Sequence, residues 1–235
     1  MQDNSSPSAR RSHCPVWSKF IRAVAFDMDG LMVNTEELYT QVGETILSRR
    51  GRTFTRELKN AIMGLPGPLA YQAIIETENL DTTPEILERE SNEIFAELLP
   101  HRLRPLAGLL DLLDVLEARN TPMCVATSSS RRFAIDVLSG IDVLNRMQFI
   151  VTAEDVQHGK PAPDIYLAAA KQLQVLPDEL LVLEDSHHGT RAGIASGACT
   201  IAVPGDHSLD HDFAGVFYVA SSLADPFILN LLSQR

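Results

Sequence analysis

Two carboxylates, Asp27 and Asp29, stand one residue apart directly after the apolar run Ala23-Val24-Ala25-Phe26, and Gly30 follows them. A second acidic pair, Glu184-Asp185, follows the run Leu180-Leu181-Val182-Leu183. If both runs are neighbouring parallel strands, these acids meet at the carboxyl edge of a sheet, where open α/β folds bind their ligands. Such a cluster repels itself unless a cation joins it, and an all-oxygen donor set suits Mg²⁺. The chemistry expected is a magnesium site around a carboxylate able to act as a nucleophile.

Other polar residues map to the same edge. Thr127, Ser128, Ser129 and Ser130 end the apolar run that starts at Met123, and Lys160 lies in the proline-stiffened loop Gly159-Lys160-Pro161-Ala162-Pro163-Asp164. Each has a plainer reading alone. Thr127 and Ser128 could cap a helix, Lys160 could be a solvated loop lysine, Glu184-Asp185 could be another helix cap, and two acids one residue apart are common on solvated turns. Acid pair, hydroxyl, lysine and acid pair at successive strand ends make coincidence a poor explanation.

The elements that would position them alternate. Strands are expected at Ala23–Phe26, Met123–Thr127, Phe149–Val151, Leu180–Leu183 and Thr200–Val203, with an edge strand at Val216–Val219. Helices are expected at Leu106–Arg119, Arg131–Ser139, Asp164–Leu173 and Gly189–Gly197. This alternation implies an α/β fold, a Rossmann-like doubly wound parallel sheet covered on both faces. After the first strand the rhythm breaks into helical patterns at Glu36–Arg50, from Thr55 to Gly64, from Pro68, and from Thr83-Pro84 to about Leu99, with Pro100 and Pro105 bracketing the return. The expected division is a disordered tail at 1–19, a core of 20–34 and 105–235, and an all-helical cap at 35–104.

Composition narrows the classes. A net charge of -11 over 235 residues leaves no basic excess to displace phosphate counterions, so nucleic-acid binding is not expected. No apolar run reaches membrane-spanning length, and the start lacks a signal-peptide apolar region. Cys14, Cys124 and Cys199 are three in number with no CxxC spacing, which points to a reducing, cytoplasmic compartment. A monomer is the default expectation.

The ordered motifs resemble the haloacid dehalogenase superfamily, in its branch of helical-cap phosphatases and β-phosphoglucomutases. The motifs are Phe26-Asp27-Met28-Asp29-Gly30-Leu31 with Asn34-Thr35-Glu36, Val125-Ala126-Thr127-Ser128-Ser129, Lys160-Pro161-Ala162-Pro163-Asp164-Ile165-Tyr166, and Leu183-Glu184-Asp185-Ser186 with Gly189, Ala192, Gly193 and Gly197. The resemblance implies that Asp27 is the nucleophile and forms an aspartyl-phosphate, and that Asp29 is first general acid and then general base. It implies phosphate binding by Thr127, Ser128 and Lys160. It also implies Mg²⁺ binding by Asp27, Asp29 through its carbonyl, and Asp185, with Glu184 direct or through water. Gly189, Gly193 and Gly197 are expected to let their helix pack closely on the sheet.

Because Asp29 is present, phosphate-ester chemistry is expected rather than dehalogenation. Tyr39 stands where the β-phosphoglucomutases carry a histidine, which leans toward hydrolysis over mutase activity. Thr35, Tyr39, Gly64 and Gly67 are the candidate specificity residues. Arg49, Arg50, Arg52 and Arg56 read as a solvated face, and His187 and His188 receive no metal role. The expected substrate is a small phosphorylated metabolite: a sugar, polyol or nucleoside phosphate. A sugar phosphomutase is the alternative enzyme. A phospho-accepting signalling receiver is the non-enzyme alternative, but receivers are shorter and lack a helical insert.

Overall fold

The computed structural model describes residues 17–62, 65 and 67–233. Four-residue runs such as β1 (Ala23–Phe26) are fully buried because both faces of the sheet are covered, so they read as continuous apolar sequence. With β2 (Met123–Ala126), β3 (Ile150–Val151), β4 (Leu180–Glu184), β5 (Cys199–Ala202) and β6 (Tyr218–Val219), β1 forms a six-stranded sheet in the order β3-β2-β1-β4-β5-β6. Every pairing is parallel. The register sets Phe26 opposite both Val125 and Leu183. Asp27 N–H continues the β1–β4 ladder to the Leu183 carbonyl at 3.0 Å. The acids that end β1 and β4 therefore come out side by side.

Alternate residues feed two separate cores. Val24, Phe26, Val125, Leu181, Leu183 and Ile201 pack under α5 (Leu109–Ala118), α6 (Arg131–Gly140) and α9 (Pro226–Ser233). Ala23, Ala25, Cys124, Ala126 and Val182 pack under α7 (Asp164–Gln172) and α8 (His187–Ser196). The doubly wound architecture expected from the alternation is present.

Between β1 and α5 runs a helical insert of α1 (Thr35–Ser48), α2 (Arg56–Ile62), α3 (Gly67–Glu78) and α4 (Pro84–Arg102). Leu38, Val42 and Ile46 recur every fourth residue on α1 and meet Leu58, Ile74, Leu87, Ile94 and Phe95 in a core of their own. Asn34 stitches the insert's two connections together. Its Nδ2 donates to the Arg102 carbonyl at 3.1 Å, and its Oδ1 accepts from Arg104 N–H at 2.9 Å. Arg104 and Glu37 add an ion pair at 2.7 Å.

Several boundaries differ from the sequence reading. The fourth insert helix passes through Pro100 to Arg102, because Pro100 falls in the last turn and Asn34 holds the final carbonyl. The next helix starts at Leu109 rather than Leu106: Leu106 N–H is committed to the Met32 carbonyl at 2.8 Å, and Gly108 turns with φ +84°. A Cβ on Gly108 would collide with the backbone nitrogen of Ala224. Helix α8 begins two residues earlier than expected, at His187, with the Ser186 hydroxyl accepting from Gly189 N–H. Helix α9 was not anticipated. Its run Phe227-Ile228-Leu229 is as compatible with a buried strand, and the deciding signal is Asp225-Pro226, where the Asp225 carboxylate accepts from Phe227 N–H at 2.9 Å. The expected 1–19 tail and Gly64 lie largely or wholly outside the described residues.

Candidate active site

The strand ends deliver the acids, and Lys160 ties them together. The Lys160 ammonium donates to Asp27 Oδ1 at 2.5 Å, Glu184 Oε1 at 2.7 Å and the Ala126 carbonyl at 3.0 Å. Its loop is a tight turn and not the extended segment expected from the prolines: the Lys160–Pro161 peptide is cis and Ala162 N–H donates to the Gly159 carbonyl at 3.0 Å. Glu184 is fully buried and saturated. Its Oε1 also accepts from Tyr166 OH at 2.8 Å, and its Oε2 accepts from Asp185 N–H, Ser186 N–H and Ser186 Oγ at 3.0, 3.2 and 3.0 Å. A carboxylate offers about four lone-pair directions, so Glu184 is spent as the fixed counter-charge of Lys160. Gly189 makes this possible: a Cβ there would lie on top of the Glu184 carboxylate. Gly189 thus packs on the acid that ends β4, in keeping with the expectation that it lets α8 approach the sheet. Gly193 packs on the sheet, against Thr200 and Val182, while Gly197 ends α8 with φ +83°.

Asp29 lies beside this pair in a hydroxyl cage. Its Oδ2 accepts from Ser129 Oγ at 2.7 Å and Thr127 Oγ1 at 3.3 Å. Ser129, not Ser128, is the serine that reaches it; Ser128 is exposed at the cavity mouth. Asp29 Oδ1 is buried with no partner, and the Thr35 hydroxyl faces the same carboxylate without the geometry of a hydrogen bond. Buried polar atoms left unpaired in a native chain call for an explanation. Here the two unpaired groups face each other beside the reacting acids.

The electrostatics follow from burial. Burial pushes the Asp27 carboxyl well above its ordinary value against the opposing charge of Lys160, and burial also raises Asp29 against the Ser129 hydrogen bond. Asp185 is pushed up to about 6, by burial first and then by the charge of Glu184. Burial would lower Lys160, but the charges of Asp27 and Glu184 outweigh it and hold the ammonium protonated. Carboxylate oxygens of Asp27, Glu184 and Asp185 lie within 4.8 Å of one another, all buried. Buried acids forced this close, on hard oxygen donors, fit a divalent cation such as Mg²⁺.

One residue at the site escaped the sequence reading. His207, on the loop after β5, sets Nε2 2.5 Å from Asp185 Oδ2. Gly30, with φ +78°, leaves room for the pair, since a Cβ there would press on both side chains at 2.6 and 2.7 Å. The available signal was position: Gly205-Asp206-His207 follows a strand whose carboxyl end had been given no chemistry. His187 instead bonds the Asp212 carbonyl at 2.7 Å. Arg50 pairs with Glu90 at 2.8 Å and Arg56 meets Asp210 at 4.0 Å, in keeping with a surface role for the arginines.

From Asp29 a cavity of about 610 Å³ runs into the insert, lined by Tyr39, Gly67 and Ser129 among others. The protein-family model for haloacid dehalogenase-like hydrolases matches residues 24–203. The chain belongs to the haloacid dehalogenase-like hydrolases. It is 30% identical to a phosphorylated carbohydrates phosphatase of Thermotoga maritima, over 91% of this chain and 99% of that protein. It is 33% identical to a probable pseudouridine-5'-phosphatase of Drosophila melanogaster, over 88% of this chain and 94% of that one. Among solved structures it resembles a HAD family hydrolase from Deinococcus radiodurans with bound phosphate and sodium, at 25% identity and a TM-score of 0.76, over 92% of this chain and 99% of that one. As in this family, helices flank a parallel sheet on both faces. Among the described residues no helix is long and apolar enough to cross a membrane.

Proposed function

We infer that this hydrolase cleaves a small phosphomonoester with Mg²⁺, through an aspartyl-phosphate on Asp27. The observation that carries the reading is Asp27 and Asp29 side by side at the end of β1, one pinned by Lys160 and the other caged by hydroxyls. Asp27 attacks phosphorus as the ester P–O bond breaks, and Asp29, its pKa raised by burial, gives its proton to the departing alkoxide. Asp29 then takes a proton from the water that attacks phosphorus, the P–O bond to Asp27 breaks, and phosphate leaves. Lys160, Thr127 and the Ser128 N–H hold the phosphoryl oxygens; a phosphoryl transfer site works mostly by such positioning. Asp27, Asp185 and the Asp29 carbonyl would hold the cation, with saturated Glu184 reaching it through water. When bound, Mg²⁺ offsets the charge that the acids and the phosphate share.

On this reading residues 35–104 would act as a cap over a core of 20–34 and 105–235, with Thr35, Tyr39 and Gly67 set to meet the leaving group; Gly64 lies outside the described residues. Hydrolysis is favoured over the mutase reading by the cavity's charge. A mutase must seat a second phosphate, and Lys59 is the one cation among the described lining residues, with Glu36 beside it. The described cysteines, Cys124 and Cys199, are buried free thiols, which suits a reducing, cytoplasmic compartment; a monomer completes the reading.

Phosphate release from benzyl phosphate tests it. Release should require Mg²⁺, stop with EDTA, and fall by about 10⁴-fold or more in Asp27→Asn with the circular dichroism spectrum unchanged. Undiminished release by Asp27→Asn would overturn the assignment.

A further inference from the structure

The cavity beyond Asp29 has two unlike ends. Near the reacting acids it is polar: Ser128, Ser129, Glu36 and Thr40 line it, and Lys59 Nζ donates to Thr40 Oγ1 at 2.8 Å. Further in, Val42, Ile46, Phe54, Ile62 and Ile74 supply an apolar stretch of wall, side chains with no hydrogen-bonding atoms, while Tyr39, Tyr71 and Ser91 also line the cavity and carry hydroxyls. A hydroxyl pressed against those five side chains gives up water and finds no partner on them, whereas an apolar surface gains by leaving water.

Phe54 is placed there deliberately by the chain. It sits in the α1–α2 connection with its ring lying on α1 at Gly43, where a Cβ would come within 2.9 Å of ring atom Cζ. Glycine inside a helix is unfavourable relative to alanine. Its presence at position 43 gives the ring a seat, and the cavity takes the ring's surface as its wall. The cavity volume of about 610 Å³ lies well within the range that binds drug-sized ligands, and far exceeds what a three-carbon polyol needs.

We propose that the alcohol released by this enzyme is ring-bearing and amphipathic, with an apolar or aromatic body against Phe54, Ile46 and Ile74 and a hydroxylated portion at Glu36, Thr40 and Lys59. This rests on the phosphatase reading and narrows its substrate class to esters of nucleoside-like build, away from open polyols and simple sugars.

The test compares esters whose alcohols are all alkyl, so that leaving-group chemistry is matched. Adenosine 5′-monophosphate and benzyl phosphate stand against glycerol 3-phosphate and glucose 6-phosphate. The pair with an aromatic ring, adenosine 5′-monophosphate and benzyl phosphate, should show kcat/KM at least about tenfold higher, the scale on which apolar pockets discriminate. Phe54→Ala should cut that ratio, and Phe54→Leu should keep most of it. Gly43→Ala, which drives the ring off its seat into the cavity, should cut it too. Equal or faster turnover of glycerol 3-phosphate, or a ratio unmoved by a folded Phe54→Ala variant, overturns the proposal. If Phe54→Ala fails to fold, the wild-type ratio alone decides. No release from any ester, with Mg²⁺ and an intact Asp27, would sink the phosphatase reading itself and the substrate class with it.

Discussion

The edge of the sheet and the helical insert solve different problems with the same chain. At the edge, each functional side chain is fixed by several partners: Lys160 by three acceptors, Glu184 by five donors, Asp29 by two hydroxyls. In the insert, the cavity wall is made of side chains that only need to be apolar and of about the right size, and such positions accept exchange. Chemistry is confined to the region where substitution is costly, and substrate choice to the region where it is cheap. The contrast teaches why one scaffold can keep a reaction and change its substrate.

The largest effect expected from breaking this contrast is at Lys160. Lys160→Met leaves Asp27 and Glu184 buried without their counter-charge, which should cost about 3–5 kcal/mol of stability and lower kcat about 10³-fold. Urea melts and phosphate release check both; an unchanged melt would mean that the acids do not depend on the lysine.

A pair of glycine substitutions sharpens the comparison. Gly189→Ala forces a methyl onto the Glu184 carboxylate and should cost about 1–3 kcal/mol or more. Gly67→Ala, at the exposed start of α3, adds a Cβ whose nearest neighbour is Tyr71 at 3.8 Å and should shift stability by less than about 0.5 kcal/mol. Equal losses at the two positions would erase the proposed difference between edge and insert.

The same asymmetry governs what could be read from sequence. Asp27, Asp29, Glu184 and Asp185 were legible because buried parallel strands announce themselves as apolar runs, and polar residues just beyond a run must stand at the sheet's edge; Lys160, nine residues past Val151, was legible from its proline-flanked loop. Ser129 was masked by its neighbours, since nothing in Thr127-Ser128-Ser129-Ser130 says which hydroxyl turns toward Asp29. His207 was illegible because its partner Asp185 is 22 positions away and its loop reads as an ordinary polar turn. The meaning of Gly43 and Gly189 is carried entirely by what packs on them, Phe54 and Glu184. Helix periodicity disclosed the insert and its apolar faces, but not that several of those faces share a cavity.

The smallest effect concerns the insert's own stability. Arg50 and Glu90 join α1 to α4 through two hydrogen bonds at 2.9 and 2.8 Å. The Arg50 hydrogen bond holds the Glu90 carboxyl below its usual value. A depressed folded pKa means that the pair's contribution is complete above the ordinary carboxylate value of about 4.3 and is lost as pH falls through the lower folded value. The pair is partly solvated, so Glu90→Gln should cost only about 0.2–1 kcal/mol at neutral pH. Thermal melts across pH 3 to 7 should show wild type and variant converging toward the acid end. A gap that stays constant with pH would contradict the sign.

The most direct test of the central claim is chemical trapping. Protein turning over an ester with Mg²⁺ is quenched into borohydride, which reduces an acyl phosphate to an alcohol, and peptide mass spectrometry locates the product. The structure predicts homoserine at position 27, absent when substrate is left out. Homoserine at another aspartate, or an unmodified position 27 during steady turnover, would show that phosphorus does not pass through Asp27.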